Sequence, residues 1–300
     1  MAQKKSWIQI RAEYAVASAL VFGLRALPLP AATRLAFGAA HVLDLAIPKL
    51  RRTALKNVEF ALPELDARAR TRITNGVFRS VGRLLLALAR FPSLNAASAA
   101  KFIRYEGLEN YYHAKREGRG VLVATAHLGN WELSAFAHAF LTEPMHVMVR
   151  PLDNPLIDRL VEERRTLSGN KLIYKKDGAR AVLKALKQNE AVGILMDQNT
   201  TLAEGVFVDF FGRAACANTG FVKLAYHAQA PIIPGFLLWD EASNGYILRF
   251  YPAIELCGDA QIDTQRIQTQ LEQVIREHPD QWMWIHRRWK TRPPGEAAIY

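Results

Sequence analysis

The spacing of apolar positions changes once along the chain, near residue 100. Before it, apolar residues recur at helical intervals, whereas from Phe102 onward short apolar runs alternate with helical stretches. The short runs are 121–126, 145–149, 171–174, 191–196, 206–210 and 232–238, and the helical stretches lie near 131–140, 155–168, 178–189 and 219–229. This alternation predicts an α/β fold with a mixed sheet flanked by helices. A last helix is expected from Asp263 to about His278.

The first ninety residues are predicted to be helical, and prolines at 28, 30 and 48 divide the start of this region. We therefore expect a helical hairpin over 1–48, followed by an α/β domain over 49–300 whose first part, 49–100, is helical. Residues 14–24 lack charge, but this stretch is shorter than the about 20 apolar residues of a bilayer span. With Trp7, Lys4, Lys5 and Arg11 in front, it is typical of a helix in a membrane interface. A core helix is the alternative.

The net charge of +11 indicates an acidic partner, which could be nucleic acid, an anionic membrane or a phosphorylated substrate. The C-terminal segment, 281–294, interleaves three tryptophans with basic residues, and this composition favours a membrane interface; a packed amphipathic element is the alternative. Nucleic acid is disfavoured because no nucleic-acid module is recognisable. The two cysteines, Cys216 and Cys257, have no metal-type spacing, and we expect no metal and no cofactor.

The stretch 121–132 carries the strongest chemical signal. Its apolar run predicts a buried strand, and His127 follows where the strand gives way to a helix that starts near Asn130. Asn130 would cap that helix, and Glu132 in its first turn could reach back to the histidine. A carboxylate that holds one imidazole nitrogen leaves the other free to act as a base. The alternative is an ordinary turn histidine and a glutamate favoured by the helix dipole.

Other candidates lie at strand ends and helix starts. Asp197 and Gln198 follow an apolar strand, so in a parallel sheet they would share the carboxyl edge with His127. Arg150 also ends a strand and suggests an anion clamp, whereas Arg164 and Arg165 fit a solvated helix face. Asp177 is expected to cap the helix near 178, and Asn154 the helix that starts at Pro155. Hydrolase, NTPase, dinucleotide and zinc-protease motifs are lacking, which leaves base-assisted transfer without metal.

An ordered set of motifs resembles the bacterial lipid A biosynthesis (lauroyl/myristoyl) late acyltransferase family. The motifs are AHLGNWE at 126–132, VRPLDNPLIDRL at 149–160, GILMDQ at 193–198, VFVDFFGRAACANTG at 206–220 and QWMWIHRRWKTRP at 281–293. The resemblance implies an enzyme of the cell inner membrane, at its cytoplasmic face. Such an enzyme moves a fatty acyl group from acyl carrier protein to a hydroxyl of a lipid A precursor.

The resemblance also implies residue roles. His127 and Glu132 match the catalytic pair, Asp197 a functional aspartate, and either Arg164 or Arg165 an important arginine. We expect His127 to deprotonate the acceptor hydroxyl while Glu132 fixes the imidazole tautomer, with direct transfer and no covalent intermediate. Backbone N–H groups of Gly129 and Asn130 are the expected oxyanion donors. Alternatives are an acyl-CoA-dependent acyltransferase of another membrane glycolipid, a thioesterase and a non-catalytic membrane-binding protein.

Overall fold

The structure is a computed structural model that describes residues 5–176 and 178–300. Lys4 and the expected helix cap Asp177 lie outside the described residues. The N-terminal part is helical, as predicted. Its helices are α1 (Trp7–Ala26), α2 (Leu29–Ala46), α3 (Pro48–Ala61), α4 (Ala67–Arg90) and the short α5 (Ala96–Ala99).

The first two helices pack against each other, and both pack against α4. Ser6 caps α1 through a capping box, and Leu27 and Pro28 separate α1 from α2. Apolar side chains on these two helices remain unusually exposed: Ile8 is 81% and Phe22 74% accessible. Among the described residues, no helix combines the length and the apolar character that a membrane span requires.

Strands and helices alternate in the rest of the chain, which confirms the predicted mixed α/β fold. The strands are β1 (Ile103–Glu106), β2 (Val121–Thr125), β3 (His146–Val149), β4 (Lys171–Tyr174), β5 (Ala191–Leu195), β6 (Gly205–Asp209), β7 (Ala214–Asn218), β8 (Ile232–Asp240) and β9 (Gly245–Phe250). The helices are α6 (Leu108–Arg116), α7 (Trp131–Leu141), α8 (Pro155–Thr166), α9 (Gly178–Lys187), α10 (Gly220–Ala228) and α11 (Ala260–Glu277). The apolar pattern did not reveal β1, α6 and β7.

Seven strands form one sheet in the order β1-β9-β8-β2-β5-β3-β4, and β6 pairs with β7 in a separate hairpin. All neighbours in the large sheet are parallel except β8 and β9. The central strand β2 pairs with β5 in a register that sets Thr125 opposite Leu195. Two residues further along, His127 and Asp197 therefore emerge side by side at the carboxyl edge.

Most of the C-terminal segment, 281–294, is packed into the protein, and beyond Gln281, the last residue of a 3-10 helix at Pro279–Gln281, it forms no regular helix or strand. Trp284 and Trp289 are fully buried, and Trp282 is 2% exposed, so the expectation that these tryptophans face a membrane is wrong. The fully buried guanidinium of Arg288 donates to the Cys216 carbonyl oxygen at 2.7 Å and to Gln268 Oε1 at 2.9 Å. These interior acceptors explain how an arginine can leave water.

Candidate active site

The site is centred on a hydrogen-bonded histidine and aspartate at the ends of β2 and β5. His127 Nδ1 lies 2.9 Å from Asp197 Oδ1, and the His127 backbone N–H donates to Asp197 Oδ2 at 3.0 Å. Asp197 is 3% exposed, whereas the His127 side chain keeps 18% of its surface accessible. With Nδ1 held by the carboxylate, Nε2 is the ring nitrogen left for a proton acceptor role. Gln198 Nε2 lies 3.4 Å from it.

The pair shifts both pKa values in the directions that favour an ion pair. Burial lowers the pKa of His127, but the charge and hydrogen bond of Asp197, together with the charge of Glu132, outweigh it and raise the pKa overall. Burial by itself raises the pKa of Asp197, but the His127 imidazole and backbone N–H and the Trp282 indole lower it to about 2. The carboxylate therefore stays ionised and stabilises an imidazolium that forms beside it.

Glu132 does not make the expected contact with His127. As the second residue of α7 it forms a bidentate ion pair with Arg165 near the end of α8, at 2.8 Å to Nε and 2.5 Å to Nη2. Both side chains are largely buried, with 11% and 17% of their surfaces accessible. Asp197, rather than Glu132, is thus the carboxylate that orients the imidazole in this structure. Glu132 acts on His127 only through its charge.

The backbone of Gly129 and Asn130 is committed to the fold. The Gly129 N–H donates to the Gln281 carbonyl oxygen at 3.0 Å, and the Asn130 N–H donates to the Leu237 carbonyl oxygen at 2.9 Å. These amides are therefore not free to bind an oxyanion. Asn130 does cap α7, as predicted, since its Oδ1 accepts from Leu133 N at 3.1 Å. Gly129 has φ +62°, and a Cβ there would lie 2.0 Å from the Leu237 oxygen, so this turn requires glycine.

The arginine candidates have different surroundings. Arg165 lines the cavity beside His127, whereas Arg164 is absent from its lining and donates to the Leu160 carbonyl oxygen within α8. Of the two, Arg165 is the one whose side chain lies at the cavity. Arg150 also lines the cavity, but its side chain is 81% exposed and lies 3.9 Å from Asp153. It is a solvated rim residue.

A cavity of about 1030 Å³ opens next to this site. On one side it has the polar residues His127, Glu132, Arg165, Gln198, Asn199 and Lys223. Its apolar lining comes from both faces of the sheet: Val123, Phe136, Met145 and Val147 on one, and Ile194 and Leu224 on the other. Gly193 lies in register between Val123 and Val147, and the room left by its missing side chain is taken by Met145, whose Cε would lie 2.9 Å from a Cβ there. A volume at the upper end of ligand pockets, mostly apolar with a polar entrance, suits a long apolar substrate.

Residues that the sequence reasoning missed come from the C-terminal segment. The Trp282 indole donates to Asp197 Oδ2 at 2.8 Å, and His286 Nε2 accepts from the Asn199 N–H at 3.3 Å. Burial lowers the pKa of His286 to about 4, so it is a neutral acceptor. The interleaved tryptophan and basic residues of this segment did not indicate that it would contact the residues that follow β5. Among the described residues, no cluster of three or more histidine, cysteine or acidic side chains could hold a metal ion.

The site thus holds a histidine paired with a buried aspartate beside a large, mostly apolar cavity. The family model described as bacterial lipid A biosynthesis acyltransferase matches residues 2–291. The chain therefore belongs to the bacterial lipid A biosynthesis acyltransferase family, and it is an enzyme that transfers acyl groups.

Individual members of this family align with the chain along most of their length. The chain is 30% identical over 279 residues to the lipid A biosynthesis palmitoleoyltransferase of Escherichia coli K12, covering 91% of this chain and 90% of the relative. It is 29% identical over 277 residues to the lipid A biosynthesis lauroyltransferase of the same strain, with the same coverage. A lipid A biosynthesis acyltransferase of Haemophilus influenzae is 26% identical over 250 residues, covering 83% of this chain and 78% of the relative.

Proposed function

We propose that this enzyme moves a fatty acyl group from an acyl carrier protein thioester to a hydroxyl of a lipid A precursor, with His127 as general base. The observation that carries this proposal is the pairing of His127 Nδ1 with the buried Asp197 carboxylate, which leaves Nε2 at the cavity. A hydroxyl is a weak nucleophile near neutral pH, so a base held in place lowers the barrier to its attack.

In the proposed step, His127 Nε2 takes the hydroxyl proton as the acceptor oxygen attacks the thioester carbonyl carbon. The tetrahedral intermediate then collapses, the carbon–sulfur bond breaks, and the imidazolium returns its proton to the leaving thiolate. Asp197 holds the ring and balances the positive charge that appears on it. Glu132 keeps the Arg165 fork at the cavity wall, where the guanidinium can bind an anionic oxygen of a substrate.

Direct transfer without an acyl-enzyme is supported by the surroundings of the nucleophilic side chains. Cys216 is buried outside the cavity lining, and burial raises the pKa of its thiol, which disfavours the thiolate. Ser134 lines the cavity, yet among the described residues no hydrogen bond joins it to a histidine. An activated serine requires such a base.

The donor and the location are proposed from charge and exposed apolar surface. Arg150, Lys175 and Lys223 line the cavity and would attract the phosphate of a phosphopantetheine arm and an acidic carrier. Ten of the sixteen large apolar side chains exposed within 5–176 and 178–300 belong to the first 47 residues. Such a concentration of apolar surface marks an interaction site. We therefore propose that α1 and α2 hold the enzyme on a membrane surface, which the family resemblance implies to be the cytoplasmic face of the inner membrane.

The test combines radiolabelled acyl donors with purified enzyme in mixed micelles. Acyl carrier protein and coenzyme A thioesters are each offered with a lipid A precursor, and a parallel reaction omits the lipid. We expect label in the lipid with the carrier-protein donor, and His127→Ala should reduce the rate by about 10²–10⁴-fold. His227→Ala, an exposed histidine at the end of α10, is the matched control and should retain full activity.

Two outcomes would overturn the proposal. Near-normal turnover by the His127→Ala variant would show that His127 is not the general base. Label released only as free fatty acid, although lipid is present, would indicate a thioesterase. Faster transfer from the coenzyme A thioester would show that coenzyme A, rather than acyl carrier protein, carries the donor acyl group.

A further inference from the structure

The indole of Trp282 contacts the aspartate of the catalytic pair without lining the cavity. Its Nε1–H donates to Asp197 Oδ2 at 2.8 Å, while Asp197 Oδ1 faces the His127 ring. Trp282 is 2% exposed and is not part of the cavity lining, so it contacts the aspartate and not the substrate.

The backbone around Trp282 is also tied to the histidine. Met283 N donates to the His127 carbonyl oxygen at 2.9 Å, and Leu128 and Trp282 form an isolated antiparallel bridge. The indole ring makes an edge-to-face contact with Trp284, with ring centroids 4.5 Å apart. It also stacks nearly parallel to the Phe211 ring. The donor is therefore fixed by packing before any substrate binds, which is what a positioning group requires.

A carboxylate without water depends on such donors. Asp197 accepts from the His127 ring, the His127 backbone and the Trp282 indole, and two of these three donors converge on Oδ2. They fix the plane of the carboxylate so that Oδ1 points at the imidazole. If the indole donor is lost, Oδ2 keeps only a backbone partner and the carboxylate can rotate away from the ring.

We propose that Trp282 is a positioning residue of the catalytic pair, whose indole N–H holds the Asp197 carboxylate in the orientation that accepts the His127 ring hydrogen bond. This inference rests on the proposed role of His127 as general base. It gives the C-terminal segment a part in the chemistry, through an aspartate that it touches rather than through substrate.

The pH dependence of the variants follows from charge. Rotation of the Asp197 carboxylate away from the ring weakens the hydrogen bond and the attraction that raise the pKa of His127, so loss of the indole donor lowers that pKa. The other ionisable groups that face the pair stay in place in such a variant. They are Glu132 from α7, Arg165 from α8, and His286 and Arg288 from the C-terminal segment.

The experiment replaces the indole N–H alone. Site-specific incorporation of benzothienylalanine at position 282 exchanges that N–H for sulfur and keeps the ring system, and Trp282→Phe serves as a second variant. We expect kcat/KM to fall about tenfold, the size of a lost hydrogen bond to a charged group. The acid limb of the pH profile should move downward by about half to one pH unit, because part of the interaction that raises the pKa of His127 is lost.

Trp289 provides the matched control. It is fully buried in the same segment, and within the described residues its indole nitrogen has no hydrogen-bond partner. Benzothienylalanine at position 289 should leave both kcat/KM and the acid limb unchanged. An unshifted acid limb with benzothienylalanine at 282, or an equal shift at 289, would overturn the inference. If either of these results were found and the His127→Ala enzyme were inactive, only the proposed role of Trp282 would be refuted. If the His127→Ala enzyme were active, the proposed role of His127 as general base would be refuted.

Discussion

The N-terminal helices α1 and α2 and the C-terminal segment, 281–294, both combine large apolar side chains with basic ones, yet their surroundings are opposite. Phe22 of α1 and Val42 of α2 are 74% and 63% exposed, whereas Trp284 and Trp289 are fully buried. Residue composition is therefore a poor guide to whether a segment is exposed or buried.

The two regions differ in the hydrogen-bond partners that are available to their polar groups inside the protein. Arg288 finds the Cys216 carbonyl and Gln268, and the Trp282 indole finds Asp197, so the polar groups of the C-terminal segment are satisfied inside the protein. Gln268 in turn donates to the Met196 carbonyl oxygen at 2.8 Å, next to Asp197. No comparable partners cover the outer surface of α1 and α2 among the described residues. Buried polar networks of this kind fix position as well as contribute stability.

The largest expected effect comes from breaking the interior partners of Arg288. Arg288→Ala leaves the Gln268 oxygen without a donor, leaves the Cys216 carbonyl with only the Thr200 N–H at 3.4 Å, and opens a buried cavity. We expect the free energy of unfolding to fall by about 3 kcal/mol or more, measured by denaturant titration in detergent. Lys290→Ala, exposed in the same segment, should change it by less than about 0.5 kcal/mol. Equal effects of the two variants would show that the segment is not anchored as described.

A smaller effect is expected where the apolar side chains of α1 are exposed. Ile8→Glu with Phe22→Glu removes two side chains that would enter a membrane surface, each worth about 1.5–3 kcal/mol if fully buried there. Binding to vesicles with anionic lipid, measured by flotation, should weaken at least about tenfold, while the free energy of unfolding stays constant.

The matched control places the same two charges elsewhere. Leu202→Glu with Ile262→Glu changes apolar side chains that are 55% and 50% exposed, outside α1 and α2, and its vesicle binding should equal that of the wild type. If the two double variants bound vesicles equally well, the membrane contact would have to lie away from the hairpin.

Local signals predicted most elements and part of the site. The cap at Asn130, the cap and proline at Asn154 and Pro155, and the meeting of His127 with Asp197 all follow from short-range chemistry and from parallel strands sharing one edge. Strand pairing then sets the two site residues side by side, because β2 and β5 are neighbours.

The partner of His127 could not be found from spacing. His127 and Glu132 are close in sequence, but Glu132 is directed at α8, where Arg165 stands 33 residues later in the chain. Likewise, the position of Trp282 depends on the packing of the C-terminal segment against β2, a contact across more than half the chain. Tertiary contacts of this range leave no periodic trace in the sequence.

The most direct test of the central claim, that Asp197 rather than Glu132 orients His127, is the pH profile of kcat/KM for Asp197→Asn and Glu132→Gln. A general base must be neutral, so activity falls as the pH drops through the raised pKa of His127. Asp197→Asn removes the adjacent charge and leaves burial to lower that pKa. We therefore expect the acid limb to move down by more than about one pH unit, with kcat reduced about 100-fold or more. Glu132→Gln keeps the His127–Asp197 hydrogen bond and should move the limb only slightly downward. A larger downward shift in Glu132→Gln than in Asp197→Asn would contradict the account.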